Sequence, residues 1–165
     1  MTDDERLPDP VRAARALPKG SLVIIRARDA KRRHALAEAL CAKTDGLILL
    51  AADDPVLAEA LHGLHLPEAR AHEAAHWRAV RPGWVITVAA HSARALYAPY
   101  ADAALLSPVF ATRSHLEARA LTPVRARMMA RNARVPVLAL GGVNERNAAL
   151  LAGFSGIAAI QSLDV

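Results

Sequence analysis

Seven short apolar runs recur along the chain at a steady pace, and that rhythm limits the fold more than any other feature. They read LVIIR (22–26), GLILL (46–50), GLHL (63–66), WVITVAA (84–90), AALL (103–106), VPVLAL (135–140) and GIAAI (156–160). Their starts are 24, 17, 21, 19, 32 and 21 residues apart. Short runs of this kind, bounded by turn residues and rich in β-branched side chains, form strands buried on both faces of a parallel sheet. Between them lie helix-like segments at about 31–42, 54–61, 69–80, 92–99, 122–133 and 144–152. A strand–helix alternation at this spacing predicts a parallel α/β fold.

A helical segment at 8–18 precedes the first run, and only Met1, Thr2 and Asp3 are available as a strand before it. Seven strands plus that stub predict a compact (β/α)8 TIM barrel. Its first strand is shortened and its final helix is missing, and it forms a single domain over 1–165. A doubly wound sheet is the alternative, but no G-x-G-x-x-G follows the early strands. Start signals support the helices. Thr122-Pro123 offers an N-cap and a first-turn proline, Ser92 follows a strand, and Asn144-Glu145 opens a helix after two glycines.

Composition narrows the class. Apolar residues are 53% of the chain, enough for a packed core. Cys41 is the only cysteine, so neither an intramolecular disulfide nor a cysteine-built zinc site is available; it is expected to be buried. No run approaches the ~20 apolar residues of a membrane span. The opening MTDDERLPDPVR is unlike a signal peptide. These features predict a cytoplasmic protein with no membrane partner. The net charge of +5 comes from arginines scattered over many segments, with KRRH (31–34) the one tight cluster. That pattern argues against a nucleic-acid partner and suits a phosphorylated small molecule.

In a parallel barrel the site lies at the carboxyl ends of the strands. The residues there are Arg26 and Arg28, then Asp53 and Asp54, His65 and Glu68, His91 and Ser92, the long connection 107–121, Gly141 and Gly142, and Gln161 and Ser162. Two glycines ahead of a helix expose backbone N–H groups and make an anion site, or they simply make a tight turn. ADDP (52–55) reads either as a metal ligand, Asp53, or as a helix start. His65, inside a strand, reads as a core or pore-lining histidine. HEAAH (72–76) matches the zinc-peptidase pattern H-E-x-x-H. It falls on an outer helix with no third ligand in view, so a catalytic zinc is not expected.

The segments VITVAAHSARAL (85–96), ADAALLSPVFATRSH (101–115), VPVLALGGVNERNAALLAGFSGIAAI (135–160) and, more loosely, SLVIIRARDA (21–30) resemble thiamine phosphate synthase and its TenI-type thiazole tautomerase relatives. MTDD resembles the start of that family, whose first strand ends I-T-D. The resemblance implies a TIM barrel in thiamine biosynthesis that binds a phosphorylated thiazole-type ligand. It implies phosphate contacts at Gly141, Gly142, Gln161 and Ser162, and substrate contacts at Arg28, Thr112, Ser114 and His115. It gives catalytic roles to His91 and Arg26. The family's synthases join a pyrimidine diphosphate to the thiazole phosphate with magnesium held by two aspartates. Here Asp53 or Asp54 and, in a shortened loop, Glu68 are the nearby carboxylates, so the diphosphate–magnesium end is eroded. Magnesium belongs to the picture only if synthase chemistry is retained. A tautomerase-type isomerase needs no metal and uses a histidine to carry protons, which matches His91. An inactive paralogue that only binds the ligand is the third reading. A barrel with bare edges also predicts a homodimer.

Overall fold

The computed structural model describes residues 1–3, 7–111 and 120–160. Each apolar run yields a strand: β1 (Leu22–Ile25), β2 (Ile48–Ala52), β3 (Gly63–Leu66), β4 (Val85–Ala90), β5 (Ala103–Leu106), β6 (Val137–Ala139) and β7 (Gly156–Ile157). Their order in the sheet is their order in the chain. Helices fall in the predicted gaps: α1 (Pro10–Arg15), α2 (Ala30–Lys43), α3 (Pro55–Ala58), α4 (Ala74–Val80), α5 (Pro123–Arg131) and α6 (Glu145–Ala148). The α/β class is therefore as expected. The chain divides into two compact units, one of Met1–His65 with Gly83–Val85 and Ile160–Val165, the other of Leu66–Pro82 with Ile86–Ala159.

In the first unit, β1 pairs with β2 and β2 with β3, all parallel, with Leu22 opposite Ile48 and Ala51 opposite Leu64. Ile24, Ile25, Leu50 and Leu64 are fully buried, as is Leu40 of α2. The amino-terminal stub lies against β1. The Thr2 amide donates to the Ile24 carbonyl at 2.9 Å. The Thr2 hydroxyl accepts from the Arg26 amide and donates to the Arg26 carbonyl, each at 2.8 Å. Thr2 thus extends the sheet beside β1, where a strand preceding α1 was expected.

In the second unit, β4, β5, β6 and β7 pair in parallel, with Thr87 opposite Ala103, Leu106 opposite Ala139 and Leu138 opposite Gly156. Ile86, Val88, Leu105, Leu106 and Val109 form its buried core. The start of β5 is fixed by Asp102, whose carboxylate accepts the Ile86 amide at 2.7 Å and pairs with Arg78. Thr122 caps α5 as predicted, its hydroxyl accepting the Arg125 amide at 3.3 Å with Pro123 in the first turn.

Several predicted helices are shorter or tighter than their patterns. The segment 69–80 is a 3-10 turn over Glu68–Glu73 followed by α4. The segment 92–99 is a 3-10 turn over Arg94–Tyr97. Ser92 does not cap it, because its hydroxyl is engaged elsewhere. Cys41 is exposed rather than buried, since the buried side of α2 is carried by Ala37 and Leu40.

Candidate functional site

The second unit gathers its chemistry where the strands end. His91 follows β4 and Ser107 follows β5, and these strands pair in register up to Ala90 and Leu106. The His91 ring is therefore delivered to the Ser107 main chain, with Nδ1 2.9 Å from the Ser107 carbonyl oxygen. A carbonyl only accepts, so Nδ1 is the donor, and in the neutral ring Nε2 is the nitrogen with the lone pair. The Ser107 hydroxyl lies 3.3 Å from the same nitrogen. From the other side, Glu68 accepts the His91 amide on Oε2 at 2.6 Å and the Ser92 hydroxyl on Oε1. His91 is thus held at both its main chain and its ring.

The chain beyond Ser107 lies on the glycine pair. The Val109 amide donates to the Leu140 carbonyl at 3.0 Å and the Phe110 amide to that of Gly141 at 3.1 Å. A Cβ on Gly141 would come 2.9 Å from Pro108 Cα, and one on Gly142 would come 2.5 Å from the Ala111 carbonyl oxygen. Both glycines have positive φ, 92° and 66°. So the pair makes a tight turn and admits a close-packed loop. It also leaves two amides that meet no acceptor among the described residues. The following helix adds less than the sequence suggested. α6 is a single turn, and its capping box satisfies its own amides, Asn144 N with Asn147 Oδ1 and Arg146 N with Asn144 Oδ1. The Gly142 carbonyl is held by Asn147 Nδ2 at 2.8 Å.

In the first unit, Arg26 and Arg28 follow β1 with exposed side chains. His65 is buried, as expected of a core histidine. Burial, with the N-terminal amine and Arg26 adding positive charge, pushes its imidazole down to about 4. The unfolded chain therefore takes up a proton between pH ~6.5 and about 4 that the folded chain refuses. Stability should fall as pH drops through that window. Thermal melts of the His65→Leu variant should show a shallower fall there; an unchanged slope would contradict it.

Asp54 is the helix start foreseen in ADDP. Its Oδ1 accepts the Leu57 amide at 3.0 Å, and its Oδ2 meets Arg33, Nε at 3.0 Å. Burial alone would raise its pKa, but the Leu57 amide and Arg33 outweigh it and hold the carboxyl below its usual value. Its stabilising share is complete above the ordinary carboxylate pKa and is lost as pH falls through the lowered one. Asp54→Ala should cost about 1–2 kcal/mol in urea unfolding at neutral pH, with the deficit shrinking in acid.

A magnesium ion is bound through carboxylate oxygens. Both oxygens of Asp54 and both of Glu68 are committed to protein donors. Asp53 sits at φ 53° with its amide on the His65 carbonyl, and it too has a partner. Among the described residues no group of three His, Cys, Asp or Glu is placed to hold a metal.

HEAAH is divided by its own backbone, with His72 in the 3-10 turn and His76 in α4. Its glutamate is bound through both oxygens to Arg70, each contact 2.7 Å. The Arg70 hydrogen bonds hold the Glu73 carboxyl below the ordinary range, the reverse of what a general base at neutral pH requires. His76→Ala should leave turnover unchanged. Thr112, Ser114, His115, Gln161 and Ser162 lie outside the described residues. For two contributors the sequence marked the segment but not the contact, Thr2 beside Arg26 and Ser107 beneath His91. Each acts across a separation of 16 or more residues.

The parallel α/β sheet carries a held histidine and a glycine-pair turn at its strand ends. Residues 2–163 match the thiamine monophosphate synthase family, and the chain belongs to that family, which serves thiamine biosynthesis. It is 35% identical over 137 residues to the Aquifex aeolicus (strain VF5) protein named "Putative thiamine-phosphate synthase 2", covering 77% of this chain and 73% of that one. The thiamine phosphate pyrophosphorylase from Pyrococcus furiosus has the same fold, with a TM-score of 0.73 at 21% identity over 96% of this chain and 82% of that one.

Proposed function

We propose that this protein binds a phosphorylated thiazole-type ligand and isomerises it by proton transfer through His91, without a metal. The observation that carries the proposal is the Nδ1 contact with the Ser107 carbonyl, 2.9 Å, which reserves Nε2 as the base. Nε2 takes a proton from one ring position and the imidazolium returns one to another, so substrate and product have the same atoms. The phosphate contacts are Gly141, Gly142, Gln161 and Ser162, following the family pattern, and the glycine amides are the donors. Arg26 assists charge balance, and Arg28, Thr112, Ser114 and His115 contact substrate, following the family pattern. An eight-stranded barrel over residues 1–165 as one domain belongs to the same proposal, supported by the Thr2 bonds beside β1. So do a cytoplasmic location and a homodimer. Val124 and Met128, one turn apart on α5, are exposed, and a second copy would cover them. Light scattering on the eluted protein checks the dimer. Among the described residues no helix is long and apolar enough to cross a membrane.

The test of function is a titration with thiazole phosphate followed by turnover assays, with and without pyrimidine diphosphate and magnesium. Isomerisation in the presence of EDTA is the expected result. Product formed only with diphosphate and magnesium would make the protein a transferase. Binding with no product would make it a binding module.

A further inference from the structure

We infer that Glu68 is a positioning residue for His91, a clamp of hydrogen bonds at the end of β4; this rests on the reading of His91 as the proton carrier. Glu68 opens the 3-10 turn after β3, so its side chain reaches the turn that follows β4. One oxygen accepts the His91 amide at 2.6 Å and the other the Ser92 hydroxyl. Two acceptors on one rigid carboxylate fix both residues of the turn at once. The ring is fixed separately, by the Ser107 carbonyl at 2.9 Å. With the main chain held, the imidazole can keep its Nδ1 bond and hold Nε2 in one place. A misplacement of about 1 Å can cost on the order of 100-fold in rate. The carboxylate therefore serves geometry, and its charge is dispensable.

That last point separates the clamp from a metal ligand or an acid. In Glu68→Gln the amide oxygen still accepts from His91 N, and the amide nitrogen donates to the Ser92 oxygen, whose own proton rotates away. Geometry survives while charge is lost. The expected kcat of Glu68→Gln is within about 3-fold of wild type, and that of Glu68→Ala is about 10- to 100-fold lower, with the Kd for thiazole phosphate unchanged in both. Ser92→Ala, which removes one of the two bonds, should lie between them. Nitrogen-15 NMR of His91 gives a readout independent of turnover. Wild type and Glu68→Gln should show the Nδ1–H tautomer, and Glu68→Ala should show a mixture of tautomers. If Glu68→Gln is as impaired as Glu68→Ala, or if Glu68→Ala keeps the pure Nδ1–H tautomer, the inference is overturned. An inactive wild type whose tautomer still depends on Glu68 would refute the isomerase reading and leave the clamp standing. Should Glu68→Ala fail to fold, Glu68→Gln and Ser92→Ala decide the matter.

Discussion

Replacing His91 with glutamine is expected to lower kcat for the phosphorylated thiazole-type substrate by about 100- to 10,000-fold, the usual worth of a positioned general base. The size of the effect follows from the ring's role. Nε2 is the nitrogen left with a lone pair once Nδ1 donates to the Ser107 carbonyl at 2.9 Å. Glutamine places an amide near that position but cannot take up and return a proton at neutral pH. The fold should tolerate the change. The His91 amide keeps its bond to Glu68, and only the ring bond to Ser107 is lost, about 1 kcal/mol. Ligand affinity should hardly move, because the phosphate contacts proposed at Gly141 and Gly142 lie on another strand end. Steady-state kinetics with calorimetric binding separates the two quantities. A kcat near wild type would remove His91 from the chemistry, and a lost affinity would make it a binding residue.

Gly142→Ala is expected to have the second large effect, on stability and phosphate binding together. Its φ of 66° costs a β-carbon about 1–2 kcal/mol. The new Cβ would also stand 2.5 Å from the Ala111 carbonyl oxygen and 2.9 Å from Phe110 Cβ, so the loop after Ser107 must move. Overpacking of this kind adds about 1–3 kcal/mol. Gly153→Ala is the natural control. It too has positive φ, 101°, but nothing lies within 4 Å of its added Cβ. Urea unfolding should therefore show the larger loss at Gly142. Titration with inorganic phosphate should show affinity reduced about 100-fold in Gly142→Ala and retained in Gly153→Ala. Equal losses of stability would mean that the loop yields freely. Retained affinity in Gly142→Ala would mean that the phosphate binds elsewhere.

Strands β1 to β6 were legible because each is a short, largely buried run, and burial writes itself into adjacent residues, whereas β7 leaves Ile157 exposed against the expectation of a buried run. The caps were legible for the same local reason: Asp54, Thr122 and Asn144 each bond an amide two or three residues on. Strand ends shifted where backbone chemistry intervened. VPVLAL keeps only Val137–Ala139 as strand, since Pro136 has no amide to pair. The breakdown of 69–80 and 92–99 into 3-10 turns is not visible in an apolar pattern, because tertiary contacts set it. The same limit applies to the site. The strand-end positions of His91 and the glycine pair could be read from the sequence. The clamp on His91 joins Glu68 across 23 residues, and a carboxylate two residues past a strand reads equally well as a metal ligand.

The proposed function rests on a metal-independent proton transfer by His91 on a phosphorylated thiazole-type ligand. Hydrogen–deuterium exchange into thiazole phosphate in D2O, followed by proton NMR in the presence of EDTA, tests it most directly. Exchange into the ring, catalysed by the wild-type protein and lost in His91→Gln, is the expected result. Bound ligand that acquires no deuterium, or exchange that persists undiminished in His91→Gln, would contradict it.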